Sequence, residues 1–278
     1  MLNSGCQQKG KATGHDNTLD TESARPTTFS ALGDVPYVAD EFESLLQGIA
    51  AHNQESSSLF LIHLGDIKTS AEPCDENRYK KVADILKESS TPTFIIPGDN
   101  EYNDCEDPIT AFSYWKKNFL RFHENWNFHG NINYDDTRNE NYSWLRKDVL
   151  FIAINLVGGR VHDSLEWKAR LSQNADWVEK SINHYKAKAN AVVLFGHAYI
   201  DEDIEGKFSL FTDRFRKVAK DYGKPVLYLH GDGHVFVHDR PWPEKNILQV
   251  QVDAGVRFLE ITVDTKREEV FYFNKDFI

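Results

Sequence analysis

Five apolar runs in this chain stop at a glycine and pass at once to a carboxylate or an imidazole. They are residues 29–34 (FSALGD), 59–66 (LFLIHLGD), 93–99 (TFIIPGD), 191–197 (AVVLFGH) and 226–232 (VLYLHGD). Short continuous apolar runs bounded by Gly or Pro read as strands buried on both faces. Strands of that kind form sheets covered by helices, with ligands gathered beyond their carboxyl ends. A carboxylate there is costly to bury unless it meets a cation, a phosphate-bearing ligand or another polar partner. One such loop is explained by a turn or a helix cap, for which Asp and Asn are well suited. Five in order deliver five candidate ligands to one sheet edge, with Gly allowing close approach each time.

Between the runs the apolar spacing becomes helical. Phe42, Leu45, Leu46, Ile49 and Ala50 mark a helix over about 40–52, and Tyr79, Val82, Ala83 and Leu86 another over about 76–88. The alternation of strand and helix predicts a layered α/β fold. An aromatic-rich helix over 112–128 is expected to cover the site, and 142–145 with 149–156 to form a hairpin turning at Lys147 and Asp148. Trp167, Leu171, Ala175, Val178, Ile182 and Tyr185 mark a long amphipathic helix, and a further helix spans about 207–222. Strands at 235–238, 247–252, 257–263 and 269–273 have no helix between them, which implies a second sheet. The expected architecture is two stacked mixed β-sheets flanked by helices.

In its strand-end motifs the chain resembles the calcineurin-like metallophosphoesterase superfamily, whose motifs run DxH, GDxx, GNH(D/E), H and GHxH. The matching stretches are GDVPY from Gly33, GDIK from Gly65, GDNE from Gly98, Gly196-His197 and GDGH from Gly231. PGDNEYNDC and HGDGH further resemble a divergent bacterial branch with PGDNE and HGDxH signatures, over roughly residues 27–275. The resemblance implies a four-layer sandwich and a dinuclear site. It assigns Asp34 and His234 to one metal, Asp66 to a bridge, and Asp99, His197 and Asp232 to the second. It also implies hydrolysis of phosphomono- or phosphodiesters by metal-bound hydroxide.

Three departures qualify that expectation. The His of DxH is Pro36, and Tyr37 beside it either takes the ligand's place or packs in the core. Asp99 and Asp232 replace a neutral Asn and His, so the ligand set is harder and more anionic, favouring Mn²⁺, Mg²⁺, Fe or Ca²⁺, while the two histidines keep Zn²⁺ open. The GNH histidine, which assists the leaving group in the family, is Asn100, and an amide transfers no proton near neutral pH. His230 is the first replacement acid to consider and Glu101 the second. Lys68, Tyr102, Asn155, Arg160, His162 and Arg240 fall on or near expected rim loops as candidate substrate contacts. The alternative function is a catalytically impaired binding protein on the same scaffold.

The formal charge of −11 argues against a broad nucleic-acid surface and against a nuclease, though not against a small phosphorylated substrate. No run approaches the roughly 20 apolar residues of a membrane helix. Residues 1–26 read as a flexible polar tail before one domain over 27–278. Cys6 in that tail is placed as in a lipoprotein, but a signal's charged and apolar parts are absent, so the start is truncated or the cysteine incidental. Cys74 and Cys105 follow loops expected to meet at the metal site. They form a disulfide, leaving Cys6 for a lipid anchor and favouring the periplasm or cell envelope, or they are free thiols of a cytosolic enzyme.

Overall fold

The computed structural model describes Met1, residues 26–200 and residues 206–277; Cys6 and the rest of the expected tail, residues 2–25, lie outside the described residues. Strand β1 (Thr27–Leu32) is followed by α1 (Ala39–Glu55), β2 (Leu61–His63), α2 (Glu76–Leu86) and β3 (Thr93–Ile95). These βαβ units place β1, β2 and β3 parallel and adjacent. Next come α3 (Pro108–Phe119), β4 (Asn133–Tyr134), β5 (Tyr142–Arg146), β6 (Val149–Ala153), α4 (Ser164–Tyr185) and β7 (Ala191–Phe195). The chain ends with α5 (Ser209–Tyr222), β8 (Val226–His230), β9 (Val237–Asp239), β10 (Ile247–Gln251), β11 (Leu259–Val263) and β12 (Phe271–Asn274).

Among the described residues two mixed sheets result, one of 5 strands in the order β12-β11-β1-β2-β3 and one of 7 in the order β4-β5-β6-β7-β8-β10-β9. Their facing sides bury Phe29, Ile62, Phe94, Phe151, Val193, Leu227 and Val250 in one core. The outer side of the smaller sheet packs Leu32, Leu61 and Ile95 against α1, α2 and α3. The outer side of the larger sheet packs Ile152, Val192 and Leu194 against α4 and α5. Both sides of these strands are therefore apolar, which is why the runs show no alternation.

Several expected boundaries move. The helix expected over 112–128 begins at Pro108, with Asp107 capping the Ile109 and Thr110 amides, and ends at Phe119. Arg121 then takes φ 56° and a single 3₁₀ turn follows, although the aromatic spacing continues. The last strands also divide: β9 and β10 join the larger sheet beside β8, whereas β11 and β12 return to β1. That return extends the smaller sheet beyond β1 and seats the β1 loop against the β10–β11 connection, with Gly33 bridged to Ala254.

Candidate metal centre

Asp34, Asp66 and Asp99 follow β1, β2 and β3, while His197 and Asp232 follow β7 and β8, so both sheets present their carboxyl ends to one space. Asp34, Asp66, Asp99 and His197 are buried; His234 lies at the open face with its side chain 52% exposed. Ligand atoms of Asp34, Asp66 and His234 lie within 4.8 Å of one another, and so do those of Asp66, Asp99 and His197. Asp66 belongs to both groups. Asp232 belongs to neither: its Oδ2 accepts from the Tyr199 amide at 3.2 Å, and its own amide donates to the Asp34 carboxylate at 3.1 and 3.2 Å.

Four of these residues hold a backbone that L side chains rarely adopt. Asp34, Asp66, Asp232 and His234 have φ of 56°, 60°, 73° and 65°. Left-handed backbone at non-glycine residues concentrates where surrounding structure forces it, and functional sites are the common case.

The His197 ring joins the two sheets. Its Nδ1 lies 2.7 Å from the Leu64 carbonyl, which can only accept, so this nitrogen carries a proton. Nε2 is left between Asp66 Oδ1 and Asp99 Oδ1, each 3.3 Å away, without a hydrogen bond of good geometry. Burial pulls the imidazolium down, but the Asp66 and Asp99 carboxylates outweigh it and hold it well above the usual histidine range. Burial pushes the Asp34 carboxyl up to about 7, the nearby Asp66 and Asp232 adding to the effect against His197. Asp232 is raised for the same first reason, whereas hydrogen bonding and charge from His197 overcome burial to hold Asp99 low. Such a crowd of oxygens with an imidazole nitrogen aimed into it suits divalent cations. A hard, mixed O/N donor set of this kind accepts several first-row metals.

Tyr37 reaches the same space. Its hydroxyl lies 3.2 Å from Asp34 Oδ1, 2.9 Å from Asp66 Oδ2 and 3.1 Å from His234 Nε2. Burial and the Asp66 and Asp34 charges raise the phenol far above its ordinary range, so it remains a donor in the metal-free protein. The Asn100 backbone amide donates to Asp66 Oδ1 at 3.0 Å, and its side-chain amide donates to Asp66 Oδ2 and, at 3.4 Å, to the Tyr37 hydroxyl. Asn100 therefore orients the carboxylate shared by both groups.

The two residues considered as replacement acids lie beneath this space, not at its open face. Glu101 is fully buried and accepts from the amides of Asp66 at 3.1 Å, Ile67 at 3.1 Å and Gly98 at 2.6 Å. Burial and the Asp66 charge push its carboxyl up to about 7, and both oxygens are occupied in tying the Asp66 and Asp99 loops together. His230 is fully buried, with Nδ1 2.8 Å from the Gly231 carbonyl, and burial pulls it down to about 3. Of the rim candidates, Lys68 is also buried, its Nζ donating to the Thr69 carbonyl at 2.8 Å.

Sequence reasoning passed over three supports. Arg78 on α2 donates to the carbonyls of Pro36 at 2.6 Å and of Tyr37 and Ile67 at 3.1 Å each, clamping the first two ligand loops. The Leu64 carbonyl fixes the His197 ring, a backbone role that no side chain announces. Gly158, in the loop after β6, packs so close to the site that an added Cβ would lie 2.9 Å from Asp99 Oδ2 and 3.4 Å from Asp232 Oδ2. A signal existed for Gly158, since the apolar run over 149–157 also ends in glycine, but no ligand residue follows it. Cys74 and Cys105 are bonded to each other, with Cα atoms 5.9 Å apart, which joins the stretch after the Asp66 loop to the end of the Asp99 loop.

No family model matches the chain, and no curated protein matches it. Among solved structures it is similar to the anchor in the inner membrane complex of Plasmodium, at 12% identity and TM-score 0.57 over 90% of this chain and 88% of that one. It is also similar to a dimetal phosphatase from Danio rerio, at 11% identity and TM-score 0.54 over 86% and 93% of the two chains. A 5'-nucleotidase from Candida albicans, at 12% identity and TM-score 0.50, is covered over 50% of its length by 89% of this chain. The shared property is the metallophosphoesterase-like fold. Because a membrane-complex anchor has it as well as phosphatases, fold alone selects no activity.

Proposed function

We propose that this chain is a metal-dependent phosphoesterase of the calcineurin-like superfamily, in the branch marked by PGDNE and HGDxH, acting on small phosphomono- or phosphodiesters. One observation carries the reading: a dense set of carboxylates shares Asp66 between two groups of candidate ligand atoms, and His197 Nε2 points between two of them without a hydrogen bond among the described residues. In this reading Asp34, Asp66 and His234 hold one divalent ion and Asp66, Asp99 and His197 the other. Asp232 braces Asp34 through its amide and adds negative charge from the second layer, a smaller role than direct ligation. Two divalent ions, when bound, supply Lewis acidity to a phosphoryl oxygen and lower the pKa of water.

The remaining work falls to the side chains. Leu64 sets the His197 ring, so Nε2 keeps its lone pair for a cation once the proton is displaced. Tyr37 and Asn100 hold Asp66, and the Tyr37 hydroxyl lies beside the exposed His234 edge, where the ester would arrive. Neither is an acid at neutral pH. Expulsion of the leaving oxygen therefore depends on its own stability, and aryl esters are the favoured substrates. The Cys74–Cys105 bond supports an oxidising compartment, periplasm or cell envelope.

The test is metal content and turnover together. Protein purified without chelator and titrated with Mn²⁺ should bind about two ions per chain and hydrolyse aryl phosphates. Two ions without turnover on an ester panel would favour the binding-protein reading, which the loss of an acid at Asn100 motivates. No tight metal uptake would overturn both.

A further inference from the structure

Next to the metal centre a cavity of about 280 Å³ opens between the loop after Asp99, the start of α3, the Arg160 loop and the first turns of α4. It shares a wall with the centre. The Tyr102 amide donates to the Asp99 carbonyl at 3.0 Å, and the Asn103 side-chain amide donates to the carbonyl of Gly158, the residue packed on the Asp99 and Asp232 carboxylates, at 2.8 Å.

The lining is aromatic and locally positive. Tyr102 and Phe112 stack with centroids 4.5 Å apart, and Trp167 lines the cavity with them. Lys116, Arg160 and Arg170 line it together with Asp163 and Glu166, an excess of one positive charge in a chain of net charge −11. Both acids are already engaged. Asp163 caps the Leu165 and Glu166 amides, and Glu166 is shared by Arg170 and Arg138 at 3.1 Å each. Arg170 is fully buried beneath the Tyr102 and Trp167 rings, 5.4 and 4.8 Å from their centroids, and its Nη1 and Nη2 have no hydrogen-bond partner among the described residues. A buried guanidinium with two unfilled nitrogens is costly until an anion or acceptor completes its surroundings.

We infer that this cavity is the subsite for the leaving group, and that it takes an aryl ring bearing an anionic substituent such as a carboxylate. The inference rests on the phosphoesterase reading and names its substrate class. Ring faces at Tyr102, Phe112 and Trp167 suit a planar group, and Lys116 and Arg160 at the edge suit its charge. It also agrees with Asn100. On hydrolysis the bond from phosphorus to the aryl oxygen breaks, that oxygen leaves with the bonding pair, and the oxygen of one water takes its place on phosphorus. The two water protons end on the phenol and the phosphate. A phenoxide leaves without a protein acid, as an alkoxide does not.

The experiment compares kcat/KM of the metal-loaded full chain for para-carboxyphenyl phosphate and phenyl phosphate. The charged ester should be preferred on the order of tenfold, and Arg160→Ala with Lys116→Ala should bring the ratio to about one. Independently of turnover, calorimetry should show para-hydroxybenzoate binding to the parent protein and at least about tenfold more weakly to the double variant. Equal kcat/KM for the two esters with no binding of para-hydroxybenzoate overturns the subsite while leaving the phosphoesterase intact. No turnover of any ester overturns the underlying reading and the leaving-group role with it, whatever binds in the cavity.

Discussion

Replacing Cys74 and Cys105 together by Ser separates two jobs that their bond could perform. The cross-link closes a segment with a sequence separation of 31. In the chain-entropy account, losing a loop of that size destabilises the folded state by about 3.7 kcal/mol at 25 °C, since the denatured chain regains its freedom. Against a total stability of about 5–15 kcal/mol that is a large share, and for a chain of this size it lowers Tm by about 7–15 °C. The folded site should change far less. The two ligand loops are also joined by three backbone amides on Glu101, and the Tyr79 hydroxyl donates to the Glu101 carbonyl at 2.8 Å. The measurement is urea unfolding of parent and variant with metal absent, alongside Mn²⁺ titration of the folded proteins. The expected result is the full stability loss with a metal Kd within about threefold, because ligand positions are held by bonds that survive. A loss below about 1 kcal/mol would refute the loop-closure reasoning, and a Kd weakened by more than about tenfold would show that the bond, not Glu101, positions the loops.

Three further outcomes follow from single contacts. Asp66→Asn removes the carboxylate shared by both ligand groups and should cut metal-stimulated hydrolysis on the order of a thousandfold with unchanged circular dichroism, corresponding to several kcal/mol of transition-state stabilisation. Gly158→Ala presses a methyl group onto Asp99 Oδ2 and should lower turnover by about 100-fold, a loss that steady-state kinetics and metal titration can assign to chemistry or to binding. His52 is buried against Phe258, both ring nitrogens lack a hydrogen-bond partner among the described residues, and burial pulls it down to about 4 from 6.5. The unfolded state therefore binds the extra proton first: the penalty begins as pH falls below about 6.5, is complete below about 4, and reaches about 3 kcal/mol. His52→Leu should remove this contribution to the acid limb of a urea-unfolding series, and an unchanged slope between pH 7 and about 4.5 would show that the ring is not responsible.

The strands were legible because their burial on both faces leaves a continuous apolar run, and β1 and β8 occupy the expected residues 27–32 and 226–230. The convergence of Asp34, Asp66, Asp99 and His197 was legible for the same reason, since each stands directly after such a run. What the local pattern does not carry is pairing at long range. Nothing in residues 257–274 says that β11 and β12 return to β1 while β9 and β10 stay with β8. The two-residue β4 is too short for any period to register. The positions of Asp232, Glu101 and His230 depend on which way a side chain leaves a tight turn, and a motif fixes only their order. Arg170 and its cavity depend on packing between α3 and α4, so only Tyr102, Arg160 and His162 of that lining were marked beforehand as rim residues.

Asn100 lacks a proton to transfer to the leaving oxygen, but it still supports the candidate metal centre by orienting Asp66. Four non-glycine residues in left-handed backbone cost about 1–2 kcal/mol each, together about 4–8 kcal/mol, which is comparable with the whole stability of a domain. Burial raises the Asp34 and Asp232 carboxyls as well, so the metal-free arrangement resists its own charge. Glycine at any of the four positions would relieve the backbone, and an amide in place of any one carboxylate would relieve the repulsion. Neither is present. Hydrogen bonds from Tyr37, Asn100 and the Asp232 amide, with the His197 imidazolium, offset part of that cost, and in the proposed reading cations bound to the folded state would offset more by mass action. A phosphoesterase and a binding protein on this scaffold would therefore share the metal centre, and would differ in whether the leaving oxygen can depart without a proton from Asn100. Comparing aryl with alkyl esters of the same charge isolates that step: turnover confined to the aryl series places the deficit at leaving-group protonation, whereas equal rates would require an acid that neither Glu101 nor His230 is positioned to be.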